Sequence, residues 1–513
     1  MLTRSKKPIQ TIFYSLPLVR KYTWKLYSNK PIRASKIREF IFRNEKPNDG
    51  IFFEILKEQG ILFEKAVLDD LQNKLNINIP SVSTFVTPGS LRKIQQLMKK
   101  QVPIIHSVPL FNEKNNTRGV ADLLVHSRFI HKLVPGFTTW QTETRSFYIP
   151  VEIKFLTLPL KTNGIHLRNT LSTKYAKGQL FLYNESIKQD FKSPFAFIIG
   201  RRSKLTKAGE VIVDNEYSIG RVDFLDEDKH IEPMVTEGLE WLDSPRTGVR
   251  PHDITSVWQC SERHAEILRV NGIFSFMDPR CAAEMLKFQN KRQIVVDCIL
   301  NTQRGNKLIV PDRSIIKMYL PEVRNKKEYF VDFETVSGIL SDDMITAPIP
   351  IIFLIGVGAY EFGKWEYRSF LADTLDLKGE RKVLTDFIKL AGNGILYHWG
   401  HAEPSMFNNA IRRQKFDVGL EWVDLCKLFI NVPVTIKGCT NFKLKEIAGA
   451  MKKHGMIDAG WESGAMGNGL ECSGKASLIY KKDNITKDDF QEIVDYNEVD
   501  CNVMGQILNY LKE

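Results

Sequence analysis

Apolar positions along the chain repeat with two periods. At 60–75 (GILFEKAVLDDLQNKL) Leu68, Leu71 and Leu75 recur at helical spacing, which predicts a helix. An earlier helix is predicted over 35–46 (SKIREFIFRNEK), with Ser35 as its N-cap. GVADLLVH (119–126), FYIPVEIKFLTL (147–158) and FAFIIG (195–200) are short, apolar and rich in β-branched and aromatic residues, which predicts strands. A helix over 171–187 (LSTKYAKGQLFLYNESI) separates the last two. Helix, strands, helix, strand is the order of an α/β core.

Residues from about 230 to 320 read as mostly helical, with EGLEWL, DITSVWQCSERHAEIL and DPRCAAEMLKF as candidates. In LRVNGIFSFMD (268–278), Gly272 stands between two apolar turns. Ending a helix is the commoner use of such a glycine; a helix–hairpin–helix contact to phosphate is the sharper one. A second run of strands begins near 325: EYFVDFET, PIIFLIGVGAY, KWEYRSFLA and GILYHWG, with a helix over 380–392 (ERKVLTDFIKLAG). Helices then dominate, ending in DDFQEIVDYNEVDCNVMGQILNYL (488–511). There is no internal repeat and no low-complexity tract.

A few charged residues break these patterns. Asp332 and Glu334 sit two apart in an otherwise apolar strand, so both point to one face. Two like charges there repel and lose hydration. A divalent cation makes the arrangement favourable, because hard ions such as Mg²⁺ prefer carboxylate oxygen. Further acids are at hand. Glu403 follows the strand ending in YHWG, where a helix begins, and Tyr496 and Asp500 lie at i and i+4 on the last helix. Asp424 is a reserve ligand. Four carboxylates would balance two Mg²⁺ ions in formal charge.

The first half holds a similar set. Glu64 lies on the apolar stripe of its helix, Asp122 on one strand, and Glu152 and Lys154 at i and i+2 on the next, between Val151, Ile153 and Phe155. Asp, Glu and Lys converging at one sheet edge can bind Mg²⁺ and place a hydroxide, while Lys stabilises an anionic phosphate. The plain alternatives are a boundary glutamate, a salt bridge along an exposed strand and, for Tyr496, a buried aromatic with a satisfied hydroxyl.

Composition adds partners and compartment. A chain of 513 residues is too long for one ordinary core and implies two or three domains. Its 72 basic and 60 acidic residues leave +12, which suits a polyanion such as nucleic acid. Residues 1–50 carry 12 Lys/Arg against 3 Asp/Glu. This reads as a basic arm, with an organelle transit peptide as the less favoured reading. The 7 cysteines include no CxxC pair, which argues against a closed zinc site or an Fe–S cluster and for an intracellular protein with reduced thiols. The longest apolar run, IPIIFLIGVGAY (349–360), is too short to span a bilayer, so no membrane partner is expected.

The ordered set Asp332-x-Glu334, Glu403 after a strand end, and Tyr496-xxx-Asp500 on a late helix resembles the DnaQ-like exonuclease branch of the RNase H-like fold. More narrowly, YHWGHAEPSMF, WVDLCKLF, NFKLKEIAGAM and YNEVDC are similar to the RNase H-like domain fused to RecB-like nucleases in bacteria and large DNA viruses. Glu403 departs from the Asp usual in DnaQ-like enzymes. Glu64, Asp122, Glu152, Lys154, and the pair Gln179 and Tyr183 in QLFLY resemble the RecB-like branch of the PD-(D/E)XK nucleases. Many of those have His at the first of these positions. The resemblances imply a basic arm (1–30), a PD-(D/E)XK domain (31–225), a helical connector (226–324) and an RNase H-like 3′→5′ exonuclease domain (325–513). They also imply phosphodiester hydrolysis with Mg²⁺ or Mn²⁺, with two ions at the second site and one or two at the first. The substrate is nucleic acid, with DNA favoured over RNA. The rival expectations are a nucleic-acid-binding protein that keeps nuclease folds without activity, and an enzyme with only one active domain.

Overall fold

A computed structural model describes residues 31–41, 51–134, 147–187, 193–207, 210–214, 217–243, 252–323, 325–336, 350–461, 466 and 468–513. The expected basic arm lies outside them. The described residues fall into two compact units, one within 31–243 and the other running from 252 to 513 together with Ile51 and Phe52. The first unit therefore runs past the expected limit at 225. The stretch from 252 onward does not stand apart as a connector. Ile254, Leu268, Phe288, Val296 and Ile316 share one apolar core with Phe429, Met451 and Ile507. Both units are mixed α/β with mixed sheets.

In the first unit, β1 (Ile32–Arg33), α1 (Ile37–Ile41), α2 (Ile51–Leu75) and α3 (Pro88–Lys99) precede β2 (Ile104–Asn112) and β3 (Thr117–His126). Then come α4 (Ile130–Leu133), β4 (Tyr148–Pro159), α5 (Leu171–Ser186), β5 (Phe195–Lys207), β6 (Glu210–Asp214), β7 (Ser218–Asp223) and α6 (Ile231–Asp243). The sheet order is β1-β3-β4-β5-β6, with β2 also on β3 and β7 also on β5. β4 runs antiparallel to β3 and parallel to β5, so it is an inner strand. Its apolar run reflects cover on both faces. On β5, Ala196 and Ile198 join one core while Phe195, Phe197 and Ile199 join the other.

Two expectations change here. Ser35 caps nothing: it sits inside a 3₁₀ turn, Ala34–Lys36, that leads into α1. The buried stripe of α2 is Phe63, Val67 and Leu71, while Leu68 and Leu75 are only half-buried. The buried face is therefore turned toward Phe63 and Val67. α3 and β2 were not expected. α3 starts at a capping box in which Thr87 and Ser90 satisfy each other's backbone N–H, with Pro88 in the first turn.

The second unit begins with α7 (Glu262–Val270), α8 (Asn290–Arg304), β8 (Ile309–Val310) and α9 (Arg313–Lys317). The predicted helix over 278–288 is instead a series of turns. Lys287 has φ of 60°, and the Ala283 N–H donates to Asp297 on α8 rather than within a helix. Gly272, at φ of 68°, follows the end of α7, and no helix resumes before α8. It is a helix terminator.

The rest comprises β9 (Glu328–Val336), β10 (Ile351–Glu361), β11 (Lys364–Leu371), α10 (Leu377–Ala391), β12 (Ile395–His398), α11 (Ala402–Gln414) and β13 (Glu421–Asp424). It closes with α12 (Leu425–Asn431), β14 (Thr435–Ile436), α13 (Leu444–Lys453), α14 (Gly469–Ile479) and α15 (Gln491–Lys512). The five-stranded order is β11-β10-β9-β12-β13, antiparallel up to β9 and parallel beyond it. α15 packs on β9 and β10 through Cys501, Met504 and Leu508, which meet Phe330 and Tyr397.

Candidate metal centres

Strand alternation builds the C-terminal centre. On β9, Phe333 turns toward Phe387 and Trp422, at ring distances of 5.5 and 6.1 Å. Asp332 and Glu334 therefore turn to the other face, with Phe330 and α15. One helical turn on α15 brings Tyr496 and Asp500 to the same place. Asp332, Glu334 and Asp500 each present an oxygen such that the three atoms lie within 4.8 Å of one another. Among the described residues no other acids, histidines or cysteines form so tight a group of three.

The cluster is held from behind. The fully buried Asn497 donates from Nδ2 to Asp332 Oδ2 at 2.7 Å and accepts from the Tyr367 hydroxyl at 2.9 Å. Gly356 faces Asp332 across β9 and β10. A Cβ there would come within 1.6 Å of Asn497 Oδ1, so a glycine is required for the helix to approach this closely.

Burial, then the mutual repulsion of the acids, raises the Asp332 and Glu334 carboxyls well above the carboxylate range. Burial also pushes Asp500 up, to about 7, against the nearby Lys445 charge and a hydrogen bond from Tyr496. The Tyr496 hydroxyl is itself raised, first by burial and then by the acids.

Glu403, in the first turn of α11, is 8% exposed. Its Oε2 makes no hydrogen bond among the described residues, and His398 Nδ1, equally without one, stands 3.5 Å away. The charge of Glu403 contributes to the upward shifts of Asp332, Glu334 and Asp500, although it lies outside the tight group. Asp424 is engaged elsewhere: its Oδ1 caps α12, accepting from the Lys427 N–H at 2.9 Å and the Gly400 N–H at 3.0 Å.

The N-terminal centre lies on β3 and β4. Asp122 Oδ2 accepts from the Ile153 N–H at 2.7 Å, and Lys154 Nζ donates to Glu152 Oε1 at 2.6 Å. Glu152 is 1% exposed, and its Oε2 has no hydrogen-bond partner among the described residues. Burial and then Glu152 raise Asp122, while Lys154 works against the rise. Burial pulls the Lys154 ammonium down, but Glu152 and Asp122 outweigh it and the net shift is upward.

Gln179 and Tyr183 meet on α5, Nε2 donating to the hydroxyl at 2.6 Å. Gly119 on β3 admits the Tyr183 ring, which a Cβ would meet at 2.4 Å. Asp122, Glu152 and Lys154 stand on inner strands, not at the sheet edge as expected, because β4 pairs with β3 on one side and β5 on the other. Glu64 is half-buried and bound to His106 Nε2 at 2.8 Å. Its charge still reaches Asp122 and Glu152.

Sequence reasoning missed Asn497, Lys445 and His106. Asn497 had a signal: it stands three residues before Asp500, a polar group on the buried face of an apolar helix. His106 had none, since β2 itself was not expected.

Both centres offer hard oxygen ligands, and each holds a buried carboxylate oxygen, Glu152 Oε2 or Glu403 Oε2, without a donor among the described residues. That donor set fits Mg²⁺ or Mn²⁺. No family model and no curated protein matches this chain. Among the described residues no helix is long and apolar enough to cross a membrane.

Proposed function

We propose that the chain is a metal-dependent nuclease that hydrolyses phosphodiester bonds, with DNA favoured as substrate. The observation that carries this reading is the convergence of Asp332, Glu334 and Asp500 in a largely buried, mutually repelling cluster whose carboxyls are all pushed upward. Asp332, Glu334, Asp500 and Glu403 would hold Mg²⁺ or Mn²⁺, which supplies Lewis acidity to water and to the phosphoryl oxygens. Asn497 fixes the Asp332 carboxylate, and Tyr496 orients a water toward phosphorus from beside Asp500. In the hydrolysis, water adds at phosphorus, the P–O3′ bond breaks, and the departing oxygen takes a proton. In this reading the unit is an RNase H-like domain of the DnaQ-like kind, acting from a 3′ end.

A second nuclease centre of the PD-(D/E)XK kind, RecB-like, is favoured at Asp122, Glu152 and Lys154. The specific support is the orphaned Glu152 Oε2 beside a lysine that stays charged. There Lys154 offers its charge to the phosphate. Glu64 is an outer ligand, and Gln179 with Tyr183 lines the centre.

The test is cleavage of end-labelled single- and double-stranded DNA and RNA by the full chain with Mg²⁺ or Mn²⁺. Stepwise shortening from a labelled strand's 3′ end is expected. Retained binding without any cleavage would leave the non-catalytic binding reading in its place.

A further inference from the structure

The C-terminal centre contains one cation that the acids alone do not account for. Lys445, on the first turn of α13, is half-buried. Its Nζ stands 4.7 Å from the centre of the Tyr496 ring and 5.0 Å from that of Trp461. Two aromatic faces therefore hold the ammonium in place. Tyr496 is one turn from Asp500 on α15, so the ring that holds the lysine also borders the carboxylates. The field of Lys445 reaches both Asp500 and Glu334 and favours their charged forms.

Charge balance gives this cation a purpose, on the nuclease reading above. Four carboxylates and two divalent ions sum to zero. A phosphodiester brings one further negative charge, and a second develops as water gives up a proton and adds to phosphorus. A neutral centre offers no net attraction to either charge. A fixed ammonium at its rim does, and in a site sheltered from water its effect is large.

We propose that Lys445 is the phosphate-binding cation of the C-terminal centre, placed by Tyr496 and Trp461 to contact a non-bridging oxygen of the scissile phosphodiester. Tyr496 thereby has two tasks, one through its hydroxyl and one through its face. The lysine is not a metal ligand; it works against metal binding and for the transition state.

The experiment uses the full chain as wild type, Lys445→Met, Lys445→Arg and Asp332→Ala. Two quantities are read: Mn²⁺ binding by titration calorimetry, counting the sites that Asp332→Ala removes, and release of 3′-terminal nucleotides at saturating Mn²⁺. Lys445→Met should bind Mn²⁺ at least as tightly as wild type, because a nearby positive charge is gone. Its kcat should fall about 10²-fold, the scale of one preorganised charge stabiliser. Lys445→Arg keeps the charge and the aromatic stacking and should stay within about 10-fold of wild type.

Wild-type release by Lys445→Met would overturn the proposal and leave the metal-centre reading intact. Loss of the Mn²⁺ sites in both Lys445 variants would also overturn it, making the lysine structural. If wild type has no Mn²⁺ sites that Asp332→Ala removes, the metal-centre reading fails and the proposal falls with it.

Discussion

The two centres solve one electrostatic problem in different ways. At the N-terminal centre the neutralising charge is built in. Lys154 bonds directly to Glu152, Glu64 is engaged by His106, and the three acids do not close into a tight group. At the C-terminal centre Asp332, Glu334 and Asp500 face one another within 4.8 Å. A cation, Lys445, stands against the Tyr496 and Trp461 rings beside them, and its field favours the charged forms of Asp500 and Glu334. The first centre therefore carries part of its countercharge without metal, although Asp122 and Glu152 are still raised. The second is frustrated without metal, and protons or divalent ions would relieve the repulsion that Lys445 offsets only in part. A centre of the first kind should lose less on metal removal; one of the second kind should bind metal more strongly and cost the empty fold more.

Activity breaks the comparison most sharply. Asp332→Ala should remove 3′-end nucleotide release by at least about 10²-fold. Lys154→Ala should abolish the remaining cuts and leave 3′ release nearly intact, because the two centres share no residue. Tyr496→Phe should be milder than Asp500→Ala. Product analysis of wild type, the two single variants Asp332→Ala and Lys154→Ala, and their double decides it. If either single change stops all cleavage, there is one active centre and not two.

Metal addition comes next in size. If the acids hold it, Mg²⁺ or Mn²⁺ at about 100 times its Kd should stabilise the folded state by about 2.7 kcal/mol. The gain should shrink much more in Asp500→Asn than in Glu152→Gln. Thermal melts with and without metal measure this, and equal losses would erase the claimed difference between the centres.

Acidity offers a finer test. The folded-state value of Asp500 lies above its unfolded one, so the folded protein binds more protons between about 4 and 7. The stability linked to this group is present at low pH and is lost as pH rises through about 7. Metal-free wild type should thus weaken from pH 5 to pH 8, by an amount on the order of 2 kcal/mol from this group. Asp500→Asn, which mimics the protonated form, should flatten that slope. A slope unchanged by the substitution would mean that Asp500 is not the group responsible.

The smallest effect is expected at Glu64. Its pair with His106 is partly exposed, so Glu64→Ala should cost no more than about 1 kcal/mol of stability. Activity at the N-terminal centre should fall by more than that figure implies if the carboxylate serves metal. Unfolding of the unit with no response to added metal would show a structural residue instead.

Some of this could be read from the chain and some could not, and particular residues show why. The strands carrying Asp332, Glu334, Glu152 and Lys154, and the helix carrying Tyr496 and Asp500, follow from local periodicity: two-residue alternation or a 3.6-residue turn settles which side chains share a face. Glycine at 272 likewise marks a helix end by its own backbone freedom. Local rules failed at 278–288, where a helical pattern yields turns because Asp297 supplies a distant acceptor. They failed again at Asp424, whose carboxylate went to a helix cap, and at Glu64, whose partner His106 comes from a strand 42 residues away. Asn497 behind Asp332, and Lys445 between two rings, depend on which helix packs on which strand. Sequence alone determined the acids, their faces and the elements that carry them, because those are set by neighbours within a turn or a pleat. Only the tertiary structure decided which acids meet, which are bonded away and which cation stands beside them, because charge interactions act through space between segments that the chain order leaves far apart.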